Sequence, residues 1–291
     1  MTDAPDQLRD AGFILTVTCP DRRGIVAAVS RFLVDNGCNI VDSAQFGDRL
    51  NGTFFLRIYF LSETGATLAT LQRDIAKIAE EFSMDANIYD AARKTRALIM
   101  VSRAGHCLVD LLYRCRIGAL PIEVPMIVSN HRDFEDVAAA TGIAFRHIPA
   151  TRDNKQEREA ELWRIIEDER IELVILARYM QVLSSELCEK LRGRAINIHH
   201  SFLPSFKGAA PYRQAYERGV KLIGATAHYV TNELDEGQII EQAAERVHHG
   251  LTPNDLAAVG RDIESVVLAR AVKYYAEHRI LLNGDRTVVF S

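Results

Sequence analysis

The stretch ALIMVSRAGHCLVDLLYRCRIGALPIEVPMIV, residues 97–128, sets the architecture of most of the chain. Its two ends, Ala97–Val101 and Val124–Val128, are short apolar runs, and between them Leu108, Leu111, Leu112 and Cys115 recur at helical spacing. A strand without polar alternation is covered on both faces, and two such strands joined through a helix lie parallel. The rhythm continues through a helical stretch near Phe134–Thr141, the run Phe145–Pro149, helix positions Leu162, Ile165 and Ile166, and the run Leu173–Ala177. A mainly parallel sheet with helices on both faces is therefore predicted. Beyond Asn197 come a loop rich in Gly and Pro, strands near 222–230 and 238–245, and a long helix from about Pro253. Its inward positions read as Leu256, Val259, Ile263, Val266 and Val267.

Upstream, residues 13–90 follow another order. Phe13–Cys19 reads as a strand, and Pro20-Asp21 as a stop and helix N-cap before Ile25, Val26, Val29, Phe32 and Leu33; Gly37 ends that helix. Two extended segments, 39–46 and 53–61, flank the turn GDRLNG, and then come an amphipathic helix (Leu68, Leu71, Ile75, Ile78, Phe82) and a last strand near 86–89. The order is βαββαβ, a ferredoxin-like unit. The polar, basic segment AARKTRA, residues 91–97, marks the boundary, giving domains 10–92 and 97–291.

Composition narrows the function. With 48% hydrophobic and 25% charged residues over 291 positions, the chain is an ordinary globular one. No apolar run reaches the roughly 18 to 20 residues of a membrane helix, and the first ten residues are polar and acidic, unlike a secretory signal; a cytoplasmic protein without membrane partners is expected. A net charge of -4 without a basic run argues against nucleic acid. Five cysteines, Cys19, Cys38, Cys107, Cys115 and Cys188, show no CxxC spacing and read as reduced thiols.

In open parallel sheets, ligands bind beyond the carboxyl ends of strands, which selects NIHHSFLPSFKG (Asn197–Gly208). Strand alternation projects Asn197 and His199 together, sends Ile198 to the core and turns His200 away from His199. A His-His pair so splayed is a poor chelate, and no metal site is expected. Some 30 residues on, the segment 231–237 places Asp235 beside Gly237 on a loop joining two strands, so an amide, an imidazole and a carboxylate stand on neighbouring loops.

The strings NIHHSFLPSFKG and HYVTNELDEGQII (228–240) resemble the signature of the folate-dependent formyltransferase family, with a gapped likeness over most of 97–280 that includes Ile175–Ser184. The resemblance implies a Rossmann-like α/β domain in which Asn197, His199 and Asp235 are catalytic. It also implies that folate lies against Met180, Gln181, Val182 and Leu183 and against Val230, Thr231 and Leu234, with His200 and Lys207 as possible supporting residues. Where glycinamide ribonucleotide transformylases carry a phosphate-binding GNGSN loop, this chain has Ser102–Cys107 (SRAGHC), so the cradle for a phosphorylated acceptor is missing. The segment GAAPY (208–212) resembles the corresponding loop of methionyl-tRNA formyltransferases, although no basic face for tRNA is present.

The N-terminal unit resembles an ACT domain through CPDRRGIV (19–26) and GCNIVD (37–42). That likeness implies pairing with a second copy and amino-acid effectors, glycine and methionine, at Asp21, Gly24 and Asn39. The fusion as a whole is similar to the hydrolytic branch of the formyltransferase family, which implies that 10-formyltetrahydrofolate and water give formate and tetrahydrofolate with no cofactor beyond that substrate. In this reading Asn197 supports the oxyanion, while either His199 or Asp235 takes the first proton. Ser201 is a loop-capping hydroxyl and not a nucleophile. A formyltransferase acting on an amine and an inactive amino-acid sensor are the competing readings.

Overall fold

The computed structural model describes residues 12–151, 153–203 and 211–291. By their contacts these form two units, one reaching Lys94 and joined by Glu277–Asn283 and Val288–Ser291, the other comprising Thr95–Ala276 and Gly284–Thr287.

In the first unit, β1 (Gly12–Pro20), α1 (Ile25–Asp35), β2 (Cys38–Asp48), β3 (Thr53–Ser62), α2 (Leu68–Phe82) and β4 (Asp85–Asp90) follow the expected βαββαβ order. The strands lie in the order β2-β3-β1-β4, with antiparallel pairing throughout. Leu15, Val17, Phe60, Leu33 and Leu71 fill the space between this sheet and its two helices. Helix α2 starts at Thr67, whose hydroxyl accepts the Thr70 N–H at 3.2 Å. The expected Asp21 cap on α1 does not form. Gly24 holds the N-cap position at φ 98, a left-handed conformation that glycine adopts freely, and no side chain caps the helix. The Asp21 N–H instead donates to the Gly52 carbonyl at 2.8 Å, tying the loop to the β2–β3 turn.

The C-terminal segment is secured to this unit by a buried cation. Arg57, 3% exposed, donates to the Glu277 carbonyl from Nε at 3.1 Å and from its terminal nitrogen at 3.0 Å. Burial lowers its pKa to about 10. Asn283 Nδ2 adds a hydrogen bond of 2.8 Å to Asp48 Oδ2.

The second unit contains β5 (Thr95–Val101), α3 (His106–Arg116), β6 (Ile122–Ser129), α4 (Glu135–Thr141), β7 (Ala144–His147), α5 (Lys155–Asp168), β8 (Leu173–Leu176), α6 (Ser185–Lys190), β9 (Ala195–His199), α7 (Pro211–Glu217), β10 (Leu222–Tyr229), β11 (Ile239–Arg246) and α8 (Pro253–Ala276). A seven-stranded sheet runs β11-β10-β9-β8-β5-β6-β7. Strands β5 to β9 pair in parallel, and β10 and β11 close one edge antiparallel. The unbroken apolar run of β5 has its reason here, since every residue from Ala97 to Val101 is fully buried. From β5 the chain moves to β6 on one side, whereas β8 lies on the other. That reversal opens a crevice at the carboxyl ends of β5 and β8.

Of the inward positions expected on helix α8, Leu256 and Val267 are buried and Val259 and Ile263 pack against a core cluster, while Val266 departs. Leu256, Gly260, Glu264, Val267, Leu268, Ala271 and Val272 are buried, and Val266 is 37% exposed. The stripe also contains a glycine and a glutamate, which a selection of apolar residues alone leaves out. Strand β10 also contains a glycine with a steric reason: a Cβ on Gly224 would stand 2.3 Å from the Ala243 carbonyl oxygen of β11. Gly224→Ala should therefore destabilise the second unit by about 1–3 kcal/mol, read as an earlier midpoint in urea denaturation followed by circular dichroism.

Candidate active site

Strands β9 and β10 pair antiparallel, with Asn197 opposite His228 and His199 opposite Thr226. Alternation places these four side chains on one face and sends Ile198 into the core. Asn197 Nδ2 lies 3.2 Å from His228 Nε2. His228 Nδ1 lies 2.8 Å from the Tyr229 carbonyl oxygen, which only accepts, so Nδ1 carries a proton. In the neutral ring Nε2 then accepts from the Asn197 amide. That contact sets which end of the amide faces His228 and leaves its second N–H available.

The carboxylate comes from the loop after β10. Asp235 adopts φ 58, a left-handed conformation uncommon for a residue with a side chain, and this carries Oδ2 to 3.1 Å from His199 Nδ1 and Oδ1 to 3.6 Å from His228 Nε2. Gly237 lets the loop fold back, since a Cβ there would lie 1.7 Å from the Tyr229 carbonyl oxygen. Burial alone would raise the Asp235 carboxyl. The neighbouring His199 and His228 rings, the first through the hydrogen bond from its Nδ1, outweigh burial and hold its pKa well below the usual carboxylate range.

Asp235 accepts at His199 Nδ1, so that nitrogen bears a proton and Nε2 is the ring's open atom. Nε2 is buried and has no hydrogen-bond partner among the described residues. A buried polar atom left in this way is a normal mark of a site awaiting a ligand. The loop following His199 is braced from β10: the fully buried Thr226 donates its hydroxyl to the Ser201 carbonyl at 3.0 Å and accepts the Leu203 N–H at 3.1 Å. Gln242 Nε2 donates to the Thr226 hydroxyl at 2.9 Å.

His200 departs from expectation. Strand β9 ends at His199, so alternation no longer governs the next residue, and the two ring centroids lie 5.1 Å apart. Burial, followed by the nearby positive charges of Arg178 and His199, pushes the His200 pKa down to about 4.

Met180, Gln181, Val182 and Leu183 line a cavity of about 280 Å³ together with Val128, Ile148, Leu162 and Tyr179. Ser102 holds this segment, with its hydroxyl accepting the Met180 N–H at 2.9 Å and its own N–H donating to the Arg178 carbonyl. Val230, Thr231 and Leu234 do not line that cavity. Val230 and Leu183 pack on the same core cluster, Thr231 donates its hydroxyl to the Glu233 carbonyl, and Leu234 is exposed. Lys207 lies outside the described residues.

Asp21, Gly24 and Asn39 do not meet within one chain. Asp21 follows Pro20, whose row contains Thr53 and Asp48, whereas Asn39 is aligned with Leu61 and Gly12. Eight rows of sheet, about 26 Å, separate the two ends.

Among the described residues, one group brings metal-binding atoms within 4.8 Å of one another: His106, Cys107 and Glu264. Its chemistry does not suit a cation. The Arg178 guanidinium lies 3.3 Å from Glu264 Oε2, and burial drives the Cys107 thiol pKa far up, so the sulfur is protonated.

His228 and Thr226 belong to the site although the motif resemblance assigns neither a role. Their signal is two polar residues at alternate positions of LIGATAHY, the same face that Asn197 and His199 occupy on the neighbouring strand.

Residues 95–272 match the formyl transferase family and residues 13–80 match the ACT domain. The chain is 50% identical to the formyltetrahydrofolate deformylase of Corynebacterium sp. (strain P-1) over 95% of its own length and 97% of that protein's. It is 43% identical to the protein of the same name from Bacillus subtilis (strain 168), over 100% and 99% of the two chains. The crystal structure of the Burkholderia mallei formyltetrahydrofolate deformylase, 53% identical, superposes with a TM-score of 0.93 over 97% of this chain and 100% of that one. Glycinamide ribonucleotide transformylase 1 from Symbiobacterium toebii, 32% identical, superposes with a TM-score of 0.65 over 70% of this chain and 98% of its own.

The two imidazoles around Asp235 set a pH expectation. A carboxylate whose pKa is depressed keeps its charge until the pH falls through the lowered value, so Asp235 should stay ionised between about pH 5 and 9. Carbon-13 NMR of labelled aspartate should show no titration of this carboxyl in that window; a midpoint above pH 5 would mean that the histidine contacts do not hold.

Proposed function

This chain belongs to the formyltetrahydrofolate deformylase family, and on that premise we propose that its second unit hydrolyses 10-formyltetrahydrofolate to formate and tetrahydrofolate at Asn197, His199 and Asp235. The observation that carries the reading is the open, buried Nε2 of His199, held in place by an ionised Asp235 on the ring's other side. Water attacks the formyl carbon while Nε2 takes one of its protons. The free N–H of Asn197 meets the tetrahedral oxyanion, and Asp235 stabilises the imidazolium. The carbon–N10 bond then breaks, N10 receives the proton from His199, and formate and tetrahydrofolate leave. The depressed Asp235 pKa supports His199 over Asp235 as the first proton acceptor, because so weak a base is poorly matched to removing a proton from water.

The cavity lined by Met180–Leu183 supports binding of the folate beside this centre, with Tyr179 and Leu162 as apolar walls. No cofactor beyond the substrate enters the scheme. The five free cysteines suit a reducing cytoplasmic setting, and no helix among the described residues is long and apolar enough to cross a membrane.

The first unit serves regulation in this proposal, with glycine or methionine as effector. Strand β2 is an edge of its sheet and exposes Ile40, Val41 and Phe46, which supports pairing with a second copy. A site using Asp21, Gly24 and Asn39 together then requires two chains, because one chain keeps them at opposite ends of its sheet. Val41→Lys should shift the oligomer toward monomer in sedimentation velocity; an unchanged species would remove β2 from the interface.

Purified protein given 10-formyltetrahydrofolate and no acceptor should release one formate per tetrahydrofolate formed. Turnover only after an amine is added would make the enzyme a transferase. Asn197→Ala should lower kcat by about 10²- to 10³-fold, and Asp235→Asn by about 10²- to 10⁴-fold. Equal activity of either variant and the parent would remove that residue from the chemistry.

A further inference from the structure

Beside His199 stands a second imidazole that the reaction above leaves without a task. His200 is the first residue past β9, where the alternation of the strand has ended. Its ring lies alongside that of His199, with the centroids 5.1 Å apart and the planes tilted by 35°. A second neighbour is the ring of Tyr212 in α7, at 6.3 Å. Tyr212 is itself fixed: its hydroxyl donates to Glu264 at 2.5 Å, and Gly260 makes room for its ring, since a Cβ there would stand 2.1 Å from it. Packing thus holds the His200 ring, and neither of its nitrogens has a hydrogen-bond partner among the described residues.

The surroundings set the charge of this ring. Burial acts most strongly against a proton on it, and the positive charges of Arg178 and His199 act the same way; Glu264 and Asp235 favour the proton but do not prevail. With its pKa lowered to about 4, the ring is neutral above about pH 5 and offers one nitrogen lone pair and one N–H. A neutral, half-buried imidazole with both nitrogens uncommitted is suited to holding a water molecule.

Hydrolysis needs such a group. A water that attacks the formyl carbon must aim a lone pair at it and place two hydrogens elsewhere. One is directed at His199 Nε2. With no acceptor for the other, the water rotates about that single hydrogen bond and is seldom aligned for attack. Asp235 is engaged away from Nε2, with Oδ2 at His199 Nδ1 and Oδ1 facing His228. Two hydrogen bonds of about 2.8 Å each can reach from one water to nitrogens on rings as close as those of His199 and His200.

We propose that His200 is the second acceptor for the attacking water, holding it between its own ring nitrogen and His199 Nε2 so that the oxygen is aimed at the formyl carbon. This rests on the hydrolytic reading of the same site. As the oxygen bonds to carbon, the proton directed at His199 passes to Nε2, while the other stays on the oxygen, hydrogen-bonded to His200. The carbon–N10 bond then breaks, N10 takes the proton from His199, and the product leaves as formic acid, which ionises to formate in solvent. His200 keeps its protonation state throughout.

The full-length parent is to be compared with His200→Phe, which keeps a flat ring and removes both nitrogens, and with His200→Asn and His200→Gln, which place an amide oxygen near the positions of Nδ1 and Nε2. Formate release from 10-formyltetrahydrofolate, with no other acceptor present, is followed against substrate concentration. His200→Phe should lower kcat by roughly 30- to 100-fold with KM changed by less than about threefold, and one of the two amide variants should return to within about tenfold of the parent. His200→Ala replaces His200→Phe if the latter does not fold. A kcat close to the parent's without the nitrogens, amide variants as slow as the one lacking them, or a loss carried by KM would each overturn the proposal. Failure of every variant to fold would assign the ring a packing role and overturn it equally. Absence of formate from the parent is a different failure, that of the hydrolytic reading.

Discussion

The contact between Asp235 Oδ2 and His199 Nδ1, 3.1 Å long, is the constraint on which the site depends. It requires a left-handed residue at Asp235, a side-chain-free position at Gly237 and an antiparallel strand, β10, to deliver the loop. Each requirement is met by a feature unfavourable in isolation: a positive φ on a non-glycine residue, a backbone approach that allows no Cβ, and a reversal of strand direction at one edge of a parallel sheet. The return is electrostatic. A carboxylate that accepts from the His199 ring remains charged, fixes the proton on His199 Nδ1 and leaves Nε2 as the atom that faces the substrate.

His228 has a quieter part in the same geometry. Its Nδ1 is committed to a carbonyl, so its Nε2 lone pair is committed to Asn197, and the amide that should meet an oxyanion cannot flip without losing that bond. Asn197, His199, His228 and Asp235 are therefore one hydrogen-bonded assembly. The amide is oriented by one ring, the other ring by the carboxylate, and all four groups rest on two paired strands and a single loop.

How much of this was legible in the sequence depended on whether a regular element governed the residue. Asn197 and His199 lie on a strand, where period-two alternation reads correctly, and the unbroken apolar runs of β5 and β8 predicted a sheet covered on both faces. His200 stands one residue past the strand, where alternation has ended, and its ring lies beside His199 instead of opposite it. Asp21 looked like a cap from its position before an apolar helix, but the left-handed Gly24 begins that helix. Glu264 carries no apolar signal, and the inward stripe of α8 takes in this charge and a glycine because Tyr212, His106 and Arg178 arrive from distant positions. Pairings between residues far apart in sequence, such as Arg57 with the Glu277 carbonyl, have no local signal at all.

The central claim is that one formyl group meets the amide, the imidazole and the carboxylate-held ring together. The most direct measurement is a crystal structure with a non-hydrolysable 10-formyl folate analogue. The formyl oxygen should lie about 3 Å from Asn197 Nδ2, with His199 Nε2 within hydrogen-bond reach of a water placed to attack the formyl carbon. A formyl group lodged in a space that neither Asn197 nor His199 faces would contradict the account.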